Sequence, residues 1–295
     1  MNKLTRILMV VMGLAMAAFI LNVYTPVLES VNAAPAKDKA KKGNVPTGQI
    51  QIVNKWEVPD ILKEISGIAW IDNNRFACVQ DEKGIIFIYN TSSGKIEREV
   101  SFAGDGDFED IVLIGKVAYM LRSDGHIFEV NNIDITKPQV REYETPLTTK
   151  QNIEGLAYDK KNERLLATVK DKETGDNSYK GIYAFSLSTK KMQSAPVYKI
   201  KMDDPMFGKG KKKKGGMFPS AIAIHPTTGN IYVLEGRNPK LLVMKPDGSV
   251  QTLYTMNKDD FAQAEGLSFS PDGRLFISNE GVKESGNILA VKTGN

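Results

Sequence analysis

The chain has 295 residues, 41% of them hydrophobic and 25% charged, with a formal net charge of +4. That balance suits one or two globular domains and excludes a disordered or low-complexity chain. Much of the lysine excess sits in two flexible runs rather than on a folded face, which argues against nucleic-acid binding. The single cysteine, Cys78, excludes an internal disulfide framework.

Lys3 and Arg6 precede an uncharged apolar run, Ile7–Leu21, the order of an export segment. Two outcomes are open for residues 1–33. Cleavage after Val31-Asn32-Ala33 gives a soluble periplasmic or secreted protein. Extension of the apolar stretch through Val27-Leu28 approaches the length of a spanning helix and gives an uncleaved signal anchor in the membrane. In both cases the basic flank stays inside and the remainder is placed outside the cytoplasm, in the cell envelope. No cysteine follows the apolar run, which excludes a lipoprotein anchor. Residues 34–48, rich in Pro, Gly, Lys and Ala without apolar periodicity, read as a flexible linker.

From Gln49 onward one pattern recurs. Five strand openings share a Glu or Ser, then small and apolar residues: Ser66-Gly67-Ile68-Ala69-Trp70, Glu109-Asp110-Ile111-Val112-Leu113, Glu154-Gly155-Leu156-Ala157-Tyr158, Ser220-Ala221-Ile222-Ala223-Ile224 and Glu265-Gly266-Leu267-Ser268-Phe269. A returning strand follows each opening, and a third strand follows that, for example Ile86–Tyr89 and Ile182–Phe185. Four short strands in a period of roughly 45 residues is the requirement of one propeller blade. The fifth copy runs out of chain after its third strand. Gln49–Trp56, with Ile50, Ile52 and Trp56 at even spacing, is the natural donor of the missing one. The expected fold is therefore all-β, a five-bladed β-propeller over 49–295, closed by an N-terminal strand. A single antiparallel sandwich would explain the alternation but not five matching openings.

One interval is longer than the rest. Residues 201–217 contain Lys209 and Lys211–Lys214 between glycines, and read as a mobile basic insertion, either solvated or a docking arm for a polyanion. Cys78, inside the expected strand Phe76–Val79, reads as packing. His126 and His225 read as surface turn residues, too isolated for a zinc site.

In each hairpin the start of the first strand and the end of the second lie on one side. Glu154, Asp171 and Glu173 should therefore converge, and the equivalent residues of other blades should join them. At the openings these are Glu64, Ser66, Asp107, Glu109, Asp110, Ser220 and Glu265. At the second-strand ends they are Asp81, Glu82, Arg122, Glu235, Arg237, Asn279 and Glu280. First strands line a propeller's channel, so Glu109, Glu154 and Glu265 are expected to face a common axis. Three convergent carboxylates need protons or a cation. Oxygen-only ligands favour a hard ion, calcium first and magnesium second. The alternative is that these residues cap strands, accept backbone N–H groups, or pair with Arg122 and Arg237.

The openings Glu64–Ala69, Phe108–Ile111, Asn152–Asp159 and Ala264–Phe269, together with the N-terminal apolar segment, resemble the SdiA-regulated domain family of bacteria. The resemblance covers most of residues 50–291, and the lysine-rich insertion departs from it. It implies a five-bladed propeller with a calcium site and a distant similarity to calcium-dependent propeller phytases, but it implies no reaction. Two functions stay open. One is a non-catalytic, calcium-binding envelope propeller with a ligand or protein partner on its acidic face. The other is a calcium-dependent phosphoesterase in which Arg122, Arg237 and the lysine loop contact phosphate.

Overall fold

Short runs of β-branched, aromatic and aliphatic residues between polar turns favour extended pairing. The computed structural model describes residues 47–173, 175–207 and 215–294, and in it these runs form five antiparallel sheets arranged in chain order. Blade one comprises Ile65–Asp72, Arg75–Gln80, Lys83–Asn90 and Lys95–Asp105. Blade two comprises Phe108–Ile114, Val117–Arg122, Ile127–Val130 and Val140–Tyr143. Blade three has Ile153–Asp159, Arg164–Val169 and Tyr179–Ser186. Two short strands share its outer edge, Lys191–Met192 and Tyr198–Lys201, each pairing with a different end of Tyr179–Ser186. Blade four runs through Ala221–Ile224, Ile231–Glu235, Lys240–Met244 and Val250–Thr255.

Blade five draws on both ends of the chain. Ala264–Phe269, Leu275–Asn279 and Asn287–Thr293 are joined by Ile50–Glu57, with Ile52 opposite Val291 and Trp56 opposite Ile288. The expected N-terminal closure is present. Immediately upstream, Thr47–Gly48 pairs in parallel with Val250–Thr255 at the outer edge of blade four, so the segment read as linker already contributes paired residues. Residues 1–46, on which the expected export or anchor segment and the rest of the expected linker fall, lie outside the described residues. Among those described, no helix is long and apolar enough to cross a membrane.

The core is divided among the interfaces between blades. Val79, Ile88 and Phe102 of blade one face Phe108, Met120 and Phe128 of blade two. There Phe102, Phe108 and Phe128 meet edge to face, with centroids 4.9 to 5.7 Å apart. Trp56, Phe76 and Phe276 join blade five to blade one, and Cys78 is fully buried beside them. Burial pushes its thiol far up, the state of a packing residue rather than a nucleophile.

The insertion after blade three is less free than its composition suggests. Pro205–Phe207 forms a 3-10 turn, Met206 and Phe207 pack on the core between blades three and four, and Met217 is fully buried there. Both flanks of the expected mobile loop are thus pinned by apolar side chains. Lys209 and Lys211–Lys214 lie outside the described residues.

At the hub each opening strand packs against the opening strands of the two neighbouring blades. The approach leaves no room for a side chain at three motif glycines. A Cβ on Gly67 would stand 2.4 Å from the Asp110 Cα, one on Gly155 would stand 2.8 Å from the Ile222 nitrogen, and one on Gly266 would stand 2.4 Å from the Ser66 oxygen. Polar side chains tie the same strands. Asp110 accepts the Leu156 N–H of blade three at 2.7 Å, Ser220 donates to the Ala264 carbonyl at 2.7 Å, and Ser278 donates to the Ser66 carbonyl at 2.6 Å.

Two changes test this account of the hub. Gly266→Val, which forces two blades apart, should cost about 3 kcal/mol or more. Asp110→Ala, which leaves the buried Leu156 N–H unpaired, should cost about 1–3 kcal/mol. Urea unfolding of each variant against the parent measures both.

Candidate functional site: an acid-lined mouth of the channel

The opening strands of blades two, three and five each carry one residue more than their partners. Phe108 pairs with Arg122 and Asp110 with Leu121, which skips Glu109. Ile153 pairs with Val169 and Gly155 with Thr168, which skips Glu154. Ala264 pairs with Asn279 and Gly266 with Ser278, which skips Glu265. Each glutamate is therefore a β-bulge residue, released from the alternation of the strand and re-aimed by the local kink. Blade one has an equivalent irregularity between Ile65 and Ile68, but it holds Ser66 and Gly67 instead of an acid.

The three glutamates share one electrostatic environment. Burial raises Glu265 to about 8, with Lys170 opposing and Glu154 and Glu280 adding to the rise. Burial also raises Glu154 to about 7 against the pull of Lys170. Glu109 is raised well above the usual range by burial, then by Glu154, Asp107 and Glu265. These carboxylates cannot all carry charge comfortably in one place.

Lys170 sits among them. It directly follows Arg164–Val169, and its Nζ lies 2.5 Å from Glu154 Oε2. Burial lowers its own pKa, but Glu154, Glu265 and Glu109 together outweigh that and raise it. Asn152, held at φ 49°, donates to the other Glu154 oxygen at 2.7 Å. Glu109 and Glu265 have no hydrogen-bond or ion-pair partner among the described residues. Sequence reasoning overlooked Lys170 beside the acidic tip Asp171–Glu173. The available signal was positional: the residue after the second strand is Asp81, Ser123 and Glu280 in blades one, two and five, and only blade three places a cation there.

A second acidic group adjoins the first. Burial raises Asp81 to about 6, assisted by Glu64, Glu82 and Asp107, and its Oδ1 is buried without a partner. Burial also raises Glu280, assisted by Asp81 and Glu64, while Gln263 donates to its carboxylate. Glu64 and Glu82 are exposed, as is Asp171, whose carbonyl accepts from Lys180.

Other residues expected at the site serve the scaffold. Glu173 is buried in its own blade, accepting the Gly181 N–H at 2.5 Å and the Tyr183 hydroxyl at 2.7 Å, so it does not join Glu154. Glu235 is fully buried, paired with Lys240 at 2.7 Å and accepting the Phe218 N–H at 2.9 Å. Asp110, Ser66 and Ser220 belong to the ties between blades. Arg122 is held by Asp124 at 2.9 Å and Glu142 at 3.2 Å, with its guanidinium over Phe128. Asn279 is buried and donates to Asn287, leaving its own Oδ1 unpartnered. Arg237 is exposed.

Among the described residues, no three His, Cys, Asp or Glu side chains already stand in the arrangement of a metal cage. The donor chemistry nevertheless fits a hard cation. Glu109 and Glu265 offer carboxylate oxygens with no hydrogen-bond or ion-pair partner among the described residues, and one ammonium offsets only one of three acids. Glu109, Glu265 and the free lone pairs of Glu154 are the groups that would hold it.

No curated protein matches the sequence. Among solved structures the fold is similar to glutaminyl cyclase from Myxococcus xanthus, with 13% identity and a TM-score of 0.62 over 84% of this chain and 97% of that one. It is also similar to the PQQ-bound aldose sugar dehydrogenase from Streptomyces coelicolor, with 13% identity and a TM-score of 0.50 over 84% and 99% of the two chains. At such identity the likeness shows the propeller fold alone, because propellers host unrelated chemistries. A family model described as SdiA-regulated matches residues 42–282, most of the folded ring and every blade opening. The chain belongs to the SdiA-regulated family.

Proposed function

We propose that the acidic mouth binds a divalent cation, calcium in the first place, and that the protein is a ligand- or partner-binding propeller of the cell envelope. The observation that carries this reading is the imbalance at the hub: among the described residues Glu109, Glu154 and Glu265 share a single ammonium, and two of the three carboxylates have no hydrogen-bond or ion-pair partner. The charge left over matches that of a divalent ion. Magnesium demands a near-ideal octahedron and sheds water reluctantly, which puts calcium first at a site of carboxylate oxygens. The envelope location rests on the basic and apolar order of Lys3, Arg6 and Ile7–Leu21. A phosphoesterase would need cationic groups free to meet phosphate beside the metal. Arg122 is already engaged by two carboxylates, which favours binding over hydrolysis.

The raised carboxyl groups fix the sign of a pH effect. Glu154 at about 7 and Glu265 at about 8 hold their protons longer folded than at their ordinary 4.5. The native state therefore binds more protons, and its stability must fall as pH rises between those limits. A bound cation removes the penalty by neutralising the ionised forms.

Thermal unfolding in chelator should accordingly show a decline in stability from about pH 5 to pH 8, and Glu265→Gln should flatten it. Calcium should stabilise the parent more at pH 8 than at pH 5, by about 2.7 kcal/mol at a hundredfold excess over its dissociation constant. Lys170→Met removes the competing ammonium and should tighten calcium binding about tenfold or more, measured by calorimetry. No calcium response in either the parent or Lys170→Met, or a response undiminished in Glu109→Gln with Glu265→Gln, would sink the proposal.

A further inference from the structure

The opening strands carry opposite chemistry at their two ends. Their starts bear the glutamates. Their far ends line a cavity of about 660 Å³ to which all five blades contribute. That volume lies within the roughly 300–1,000 Å³ usual for small-molecule pockets. One residue from the same motif position in every blade borders it: Trp70, Leu113, Tyr158, Ile224 and Phe269. All five are only half-buried. An apolar ring left partly wet at five equivalent positions, three of them aromatic, gains by covering itself with a flat apolar body.

The polar groups at this end include donors and two lysines. Trp70 Nε1 is buried and has no partner among the described residues. His225 accepts the Thr227 and Thr228 N–H groups at Nδ1, each at 3.3 Å, which leaves its proton on Nε2. Asp159, the one carboxylate lining the cavity among the described residues, is occupied by Arg164 at 2.8 Å and by the Asn162 amide at 2.7 Å. Lys160 and Lys161, on the turn that follows, are exposed and have no ion-pair partner among the described residues. Donors and cations thus go unanswered beside an aromatic wall.

We propose that this far mouth is a second binding site, for a flat aromatic molecule carrying one anionic group such as a carboxylate. The ring of five supplies the apolar contact, and Lys160 and Lys161 draw the charge. The site is independent of the acidic mouth and of any cation there.

The full chain carrying Trp56→Phe keeps Trp70 as its only tryptophan. Titrated with anilinonaphthalene sulfonate, a flat aromatic anion, it should show saturable energy transfer from Trp70 at one probe per chain. Lys160→Glu with Lys161→Glu should weaken that binding about tenfold or more, while phenylnaphthylamine, which has the rings without the sulfonate, keeps its affinity. Glu265→Gln should leave both probes unaffected. Because the two lysines are exposed, their reversal leaves the core intact, and the melting temperature measured alongside verifies this. Absence of saturable transfer overturns the proposal. So does charge reversal that weakens neither probe, or weakens both alike.

Discussion

The structure depends on how closely five backbones can approach one axis. Neighbouring opening strands meet at distances that exclude a Cβ at Gly67, Gly155 and Gly266, and the apolar wedges between blades pack only once that approach is made. The repeated Glu-Gly pairs are therefore one device with two parts. The glycine admits the neighbouring strand, and the bulge beside it turns the glutamate out of the sheet. Geometry that closes the ring also gathers acids at its hub.

Gathered acids are costly, and the protein offsets only part of the cost. Lys170 answers one carboxylate, while Asp81, Glu280, Glu265 and Glu109 remain raised by burial and by one another. A scaffold chosen for stability alone would replace some of these groups by apolar residues of like size. On the reading proposed above, retaining them trades stability for affinity toward positive charge. The opposite end of the same strands includes donors and two exposed lysines, so the channel is polarised from end to end.

Blade number, strand order and closure by the N-terminal strand were legible in the sequence because each rests on local periodicity and on a motif that recurs. Glu109, Glu154 and Glu265 stood out for the same reason. Lys170 did not, since two of its three acidic neighbours, Glu109 and Glu265, come from other blades and only ring closure brings them near. Glu173 and Glu235 were grouped with the acidic face by their position at strand ends. Glu173 lies past the last ladder residue of its strand and Glu235 is itself the last, opposite Lys240, and both turn inward to backbone N–H groups. Trp70, Tyr158 and Phe269 stood out only as the ends of the repeated openings, because an apolar residue at strand spacing looks the same whether it packs or borders a cavity. The insertion after blade three misled through its lysines, which hid the anchoring role of Met206, Phe207 and Met217.

The two pairings of the N-terminal segment have a kinetic consequence. Thr47–Gly48 borders blade four and Ile50–Glu57 completes blade five, so the earliest residues of the ring wait for partners some two hundred positions later. Contacts of such sequence separation form slowly, and these cannot form at all while the last strand is still being synthesised. A nascent chain thus emerges with its clasp undone and its first blades lacking a neighbour on one side.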